Sequence, residues 1–137
     1  MSHDPSNEND KNRPESNRFP QFLSDTHYEL FQLVVDQLNS SQQKSHEYLA
    51  VAFIATSDSE LYEKMRPYFG ADGFNSPEMF EEMDLSTGYL KIARAAGNLF
   101  GQDYEISLAD FANSLDHDLF HTLLQAMKIR KYGVANT

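Results

Sequence analysis

Apolar residues recur at three- and four-residue steps after residue 18, which is the spacing of an amphipathic α-helix. The first such stripe comprises Tyr28, Phe31, Val34, Val35 and Leu38. Thr26 and Glu29 match the S/T-x-x-E capping box, in which two side chains satisfy amides of the first helical turn. The pattern therefore predicts a helix that is capped by Thr26 and ends at Asn39.

The next segment, residues 47–56, reads EYLAVAFIAT and is apolar on almost every side. Periodicity does not separate a buried helix from a buried strand in such a run. Its three alanines and the lack of a plausible partner strand favour a helix. A helix that is hydrophobic all round lies in the core, so this segment is predicted to be the central helix.

Later helix starts are marked by Ser, Thr or Asp side chains that can accept a first-turn amide. The predicted N-caps are Ser57, Ser76, either Ser86 or Thr87, Ser107 and Asp116. Pro67 is expected to end the helix that follows Ser57, and residues 70–73 are expected to form a loop. The predicted core face of the last helix consists of Phe120, Leu123, Leu124 and Met127. Six or seven such helices predict an irregular all-α bundle.

Residues 1–18 differ from the rest because they are almost entirely polar. A segment with nothing to bury cannot offset the entropy of ordering its backbone. We therefore expect a disordered tail over residues 1–18 and a single all-helical domain over residues 19–137.

Composition narrows the classes of function. The 137 residues contain 11 Lys and Arg against 21 Asp and Glu, a formal charge of −10, and no cysteine. The charge disfavours direct nucleic-acid binding and permits a basic protein partner. The missing cysteines exclude disulfides, Cys-ligated zinc and thiol nucleophiles. The start of the chain does not match a signal peptide and no apolar run approaches 20 residues, so we expect a cytoplasmic protein without a membrane partner.

The order of FLSDTHYELF (22–31), AFIATSDSELYEK (52–64), DLSTGYLKIARAAGNLFG (84–101) and SLDHDLFHTLLQAMKIRKYG (114–133) resembles an uncharacterised family of small helical proteins. We associate that family with low-GC Gram-positive bacteria. Its most distinctive motifs here are DLSTG (84–88), NLFG (98–101) and residues 125–130. The resemblance implies a helical fold, and it carries over no activity, cofactor or catalytic residue to this chain.

His117 and His121 are candidate metal ligands, because residues at i and i+4 lie on one helix face. Asp118 follows the first histidine as Glu does in H-E-x-x-H hydrolases, but it is shorter. The pair also lies in the first turn, where the helix dipole disfavours a cation. A third ligand would have to come from His27, His46 or a carboxylate. The alternative is that the first-turn aspartates interact favourably with the positive end of the helix dipole, and that His121 is a partly buried polar residue.

Acidic residues are densest at Glu78, Glu81, Glu82 and Asp84, on either side of Phe80. Such an amphipathic segment can receive a basic helix or loop from a partner. The alternative is a solvated helix face with Phe80 in the core.

Three functional classes remain. The favoured one is a non-enzymatic protein-interaction or regulatory domain that uses the acidic segment and needs no cofactor. The second is a metal-dependent enzyme or metal-binding protein that uses His117 and His121. The third is a small-ligand or nucleic-acid-associated accessory protein, whose small-molecule pocket would lie beside Tyr68, Phe69 and Phe74. Homodimerisation through an apolar helix face is compatible with each of them.

Overall fold

The computed structural model describes residues 19–134, which contain seven α-helices, one 3₁₀ helix and one short hairpin. The elements are α1 (Asp25–Asp36), the 3₁₀ helix (Gln42–Lys44), α2 (His46–Ala55), α3 (Ser59–Met65), β1 (Phe69–Gly70), β2 (Gly73–Phe74), α4 (Ser76–Glu82), α5 (Thr87–Leu99), α6 (Leu108–Ser114) and α7 (His117–Tyr132). The predicted all-α class is confirmed. The predicted tail, residues 1–18, lies outside the described residues, as do residues 135–137.

Helix α2 lies at the centre of the fold, as its sequence predicts. Every residue from Leu49 to Ala55 is buried, and the helix contacts α1, α3, α5, α7 and the 3₁₀ helix. A helix surrounded on all sides must be apolar on all sides, which explains why this segment has no polar stripe. The other helices each contribute one apolar face to the same core.

Two helices begin at a different residue from the one predicted, because a neighbouring side chain satisfies the first-turn amides. Ser24, not Thr26, caps α1 and accepts the His27 N–H. Asp58 caps α3 by accepting the amides of Glu60 and Leu61. Ser57 has another role, since its hydroxyl donates to the Ile54 carbonyl at the end of α2.

The start of α4 also differs from the prediction. Asn75 occupies the N-cap position, and Ser76 is the first helical residue, where it is completely buried. Ser86 does occupy the N-cap of α5, although its side chain makes no capping bond. Ser107 and Asp116 cap α6 and α7 through their side chains, as predicted.

Helix α7 packs with a different face from the one predicted. Leu123 is buried, but Leu124 and Met127 are 43% and 42% exposed. The buried face instead consists of Leu119, Thr122, Leu123, Gln125, Ala126 and Ile129. One residue turns the helix by about 100°, so the true face lies next to the predicted one. This face contains the polar residues Thr122 and Gln125, so the pattern of apolar residues in the sequence did not indicate that it is buried.

Residues 70–73, predicted as a loop, form the turn of the hairpin β1–β2. Phe69 pairs with Phe74 across the two antiparallel strands, and both rings are buried against Phe100. Gly73 has φ +104°, which a residue with a side chain rarely adopts. These aromatic residues therefore hold the hairpin on the core. Within residues 19–134, no helix has the length and apolar character needed to cross a membrane.

Candidate functional site

Four carboxylates project into solvent from α4 and the segment that follows it. We call Glu78, Glu81, Glu82 and Asp84 the acidic surface; all four are exposed. The ion pairs among residues 19–134 involve other carboxylates, those of Glu47, Glu60, Glu63 and Asp110. One cation lies beside the surface, since the Lys64 ammonium donates to the Asp84 carbonyl at 2.6 Å. The side-chain charges of the acidic surface are thus left without an ion-pair partner in the described part of the chain.

Helix α4 is held firmly by residues on its inner side. Met79 is fully buried, and the buried Ser76 hydroxyl lies 2.6 Å from the Tyr104 hydroxyl. Ser76 also donates to the side-chain oxygen of Gln102, whose amide donates to the Phe74 carbonyl at 2.8 Å. This network ties α4 to the hairpin and to the segment after α5. The carboxylates on the outer side are therefore mounted on a fixed element.

Phe80 packs against the rest of the fold more than it contributes to the exposed surface. Its ring is partly buried and lies edge-on to Tyr104, with ring centroids 5.3 Å apart. The predicted alternative, in which Phe80 packs inward, is therefore closer to what is observed. A partner at the acidic surface would meet only the outer edge of this ring.

Two of the four carboxylates are oriented by hydrogen bonds. The Tyr68 hydroxyl donates to Glu82 at 2.6 Å, and the Asn75 amide donates to Glu78 at 2.8 Å. The bond to Glu82, with a smaller effect of desolvation and of nearby negative charge, raises the pKa of Tyr68 to about 12. Tyr68 therefore stays protonated and keeps donating at physiological pH. Glu81 and Asp84 have no such side-chain partner among residues 19–134.

His121, one of the predicted metal ligands, has a structural role in the fold. Its Nε2 donates to the Gln21 carbonyl at 2.9 Å, while Gln125 accepts the Gln21 N–H at 2.9 Å. Residues 121 and 125 are one helical turn apart, so α7 holds both backbone groups of a single residue. We call residues 19–23 the N-terminal strap. His117, the other predicted ligand, is exposed.

The remaining histidine candidates are also engaged. His27 is 1% exposed; its Nδ1 accepts the Leu23 N–H at 3.1 Å and its Nε2 donates to the Phe53 carbonyl at 2.9 Å. These bonds require the neutral ring, and burial lowers the pKa of His27 to about 4. His46 Nδ1 lies 3.2 Å from the Arg130 carbonyl. Residues 19–134 contain no group of three or more His, Asp or Glu side chains arranged to hold a metal ion. The metal hypothesis therefore has no ligand set in this part of the chain.

The structure shows a second surface that the sequence did not reveal. An apolar groove between α5, α6 and α7, here named the α5–α7 groove, is lined by Ala95, Leu99, Ile106, Leu108, Phe111 and Met127, among others. Leu108 is 68% exposed at the start of α6. The sequence of α7 did contain a signal for it. This helix has more apolar residues than one buried face can hold, so some of them must be exposed.

Comparison with known proteins gave no match to a family model, a curated protein or a solved structure. The resemblance to small helical proteins of low-GC Gram-positive bacteria therefore stays a prediction. We infer the function of the protein from the residues of this chain alone.

Proposed function

We propose that this protein is a non-enzymatic interaction domain whose acidic surface receives a basic helix or loop of a protein partner. One observation carries the proposal: Glu78, Glu81, Glu82 and Asp84 are exposed together and form no ion pair with the lysines and arginines of residues 19–134. Charges of one sign on a fixed element steer an oppositely charged partner and select its orientation.

The titratable groups with shifted pKa values support a binding role over catalysis. Among residues 19–134 they are His27, Glu47, Tyr68 and Tyr89. In enzymes such groups tend to converge in one cleft. Here they lie in different segments of the fold, and each has a structural hydrogen bond within it. The cytoplasmic location and a homodimeric state stay predictions that accompany this proposal.

The partner is expected to present lysine or arginine side chains on a segment narrow enough to lie along α4. Exposed ion pairs contribute only ~0.2–1 kcal/mol each, so several must act together. Binding should therefore weaken steeply as salt is raised. At an ionic strength of ~0.15 M, dissolved ions largely screen exposed charges that lie more than about 8 Å apart.

Capture of partners from host lysate by the full chain tests the proposal. The test variant is Glu81→Lys/Asp84→Lys, which removes two carboxylates that make no side-chain bond in the described residues. The matched control is Glu29→Lys/Asp36→Lys, with the same charge change on exposed positions of α1. A partner bound at low salt, lost in the test variant and retained by the control would support the acidic surface. Equal loss or equal retention in both variants would refute it.

A further inference from the structure

A depression lies beside the hairpin, next to the acidic surface. We call it the hairpin pocket; it has a volume of about 350 Å³, and its lining includes Tyr68, Phe69, Gly70, Asp72, Asn75 and Glu78. Glu78 is also a member of the acidic surface, so the pocket and that surface are continuous. Ligand pockets in proteins commonly measure ~300–1,000 Å³, so the hairpin pocket suits one long side chain and not a whole helix.

Hydrogen bonds hold the walls of the hairpin pocket in place. The Gln42 side chain, on the 3₁₀ helix, donates to the Ala71 carbonyl at 2.8 Å. The Asn75 N–H donates to the Tyr68 carbonyl at 2.8 Å, next to the paired strands of the hairpin. The network on the inner side of α4 ends at the Phe74 carbonyl. Walls that are fixed in advance lose little conformational freedom on binding, so the pocket is preorganised for a ligand.

The charged side chains of the hairpin pocket are both acidic. Asp72 and Glu78 line it, whereas none of the lysines and arginines in the described part of the chain does. Neither carboxylate forms an ion pair within residues 19–134. Arg66 lies close in sequence, but it is paired with Glu63. Lys44 belongs to the 3₁₀ helix and not to the lining of the pocket. The pocket is therefore complementary in charge to a cation.

Two polar side chains of the lining show how this negative charge is arranged. The Tyr68 hydroxyl donates to Glu82, and the negative charges of Glu82 and Glu78 add to the effect of that bond in raising the Tyr68 pKa. The Asn75 side chain donates to one oxygen of Glu78 at 2.8 Å, which leaves the other oxygen able to accept. A cation in the pocket would thus meet an acceptor that is already oriented.

An arginine side chain matches this lining better than a lysine side chain does. The guanidinium group is planar and carries five N–H donors, so it can donate to two carboxylates and also lie flat against an aromatic ring. The partly exposed Tyr68 supplies such a ring in the lining. The ammonium group of lysine is compact and strongly hydrated, so it gains less from an aromatic wall.

We propose that the hairpin pocket takes one arginine side chain of the basic partner segment, whose guanidinium group donates to Asp72 and Glu78 and lies against the Tyr68 ring. The inference rests on the proposed function, because the same segment would continue along the acidic surface. Interfaces are commonly anchored by a few side chains that fill pockets, and arginine is frequent among them. The pocket would thus set the position at which the partner meets α4.

Titration of the ¹⁵N-labelled full chain with N-acetylarginine N-methylamide tests the pocket by nuclear magnetic resonance. At low salt we expect a dissociation constant on the order of 1–10 mM. The backbone amide signals of Gly70 and Gly73 and the side-chain amide signals of Asn75 should move. The lysine derivative should bind ~2-fold more weakly or worse. The citrulline derivative, which has nearly the shape of arginine without its charge, should leave these signals in place. Absence of shifts with the arginine derivative, or equal shifts with either control compound, would overturn the proposal.

Variants locate the binding site. Asp72→Asn/Glu78→Gln removes both charges with little change of shape, and it should weaken binding of the arginine derivative by ~2- to 30-fold, the size of two exposed ion pairs. The matched control is Glu29→Gln/Asp36→Asn, the same pair of changes at exposed positions of α1, and it should have less effect. Equal weakening by the two variants would reduce the attraction to net charge and refute the pocket. If circular dichroism shows that the double variant is unfolded, Glu78→Gln against Glu29→Gln gives the same comparison.

The inference and the proposed function fail separately. If Glu81→Lys/Asp84→Lys loses the captured partner while the arginine derivative causes no shift at the pocket, the pocket alone is refuted. If the arginine derivative binds at the pocket while that variant retains the partner, the acidic surface is refuted and the pocket is still supported.

Discussion

Protonation of His27 is expected to destabilise the fold, because both of its ring nitrogens hold a backbone group. Nδ1 accepts the Leu23 N–H, and a protonated ring would point a hydrogen at that donor. The ring is also enclosed by Phe22 and Phe53, with centroids 5.0 and 4.4 Å away. The electrostatic effect of nearby His121 lowers the pKa of His27 further.

The magnitude follows from the difference between the two states of the chain. In the unfolded chain His27 takes up a proton with its ordinary pKa of 6.5, whereas in the folded chain the pKa is about 4. The unfolded state therefore binds more protons between these values, and the free energy of unfolding falls as the pH drops from 6.5 to 4. A difference of about 2.5 pH units, at ~1.36 kcal/mol each, gives a loss of about 3 kcal/mol, with no further loss from this group below pH 4.

Urea denaturation at several pH values between 4 and 7 measures this loss. His27→Gln removes the titrating group, and we expect its stability to depend less on pH than that of the unaltered protein across this window. Every other titratable group is common to both proteins, so the difference between the two curves isolates His27. His117→Gln, at an exposed position, is the matched control and should keep the original slope. Parallel curves for His27→Gln and the unaltered protein would refute the reasoning.

Three further changes test the packing. Thr122→Val should stabilise the fold by ~1 kcal/mol, because the buried Thr122 hydroxyl has no hydrogen-bond partner among residues 19–134; a lower urea midpoint would contradict this. Gly97→Ala should cost ~1–3 kcal/mol, since its Cβ would lie 2.6 Å from the Tyr104 ring, whereas Gly70→Ala has nothing within 4 Å and serves as the control in the same thermal melts. Asp116→Ala should cost ~1 kcal/mol in urea denaturation by removing the α7 cap, and an unchanged midpoint would show that this cap contributes nothing.

Most of the helices could be predicted from local patterns, because the signals for a helix lie within a few residues of one another. The apolar run of α2 and the caps Ser107 and Asp116 are such signals. The wrong caps, Thr26 and Ser57, each lie within two residues of the true ones, Ser24 and Asp58. Where several acceptors lie this close together, the conformation of the chain before the helix decides which one faces the amides.

The candidate functional residues could be predicted only in part, because several of their contacts join residues that are far apart in the sequence. The exposure of the acidic surface could be predicted, since carboxylates rarely lie buried without a partner. The role of His121 could not be predicted, because its partner Gln21 is 100 positions away in the chain. Gln125, which belongs to the buried face of α7, likewise has its partner at Gln21, far away in the chain.

The N-terminal strap has a consequence for the order of folding. Gln21 finds its acceptor on Gln125 and its donor on His121 only after α7 has formed and packed on α2. Closing a loop of about 100 residues carries a large entropic cost, which is met only once most other contacts exist. Docking of the strap should thus be a late event in refolding. In pulsed hydrogen exchange, the Gln21 amide should gain protection after the amides of α2, so this one proton would report completion of the fold.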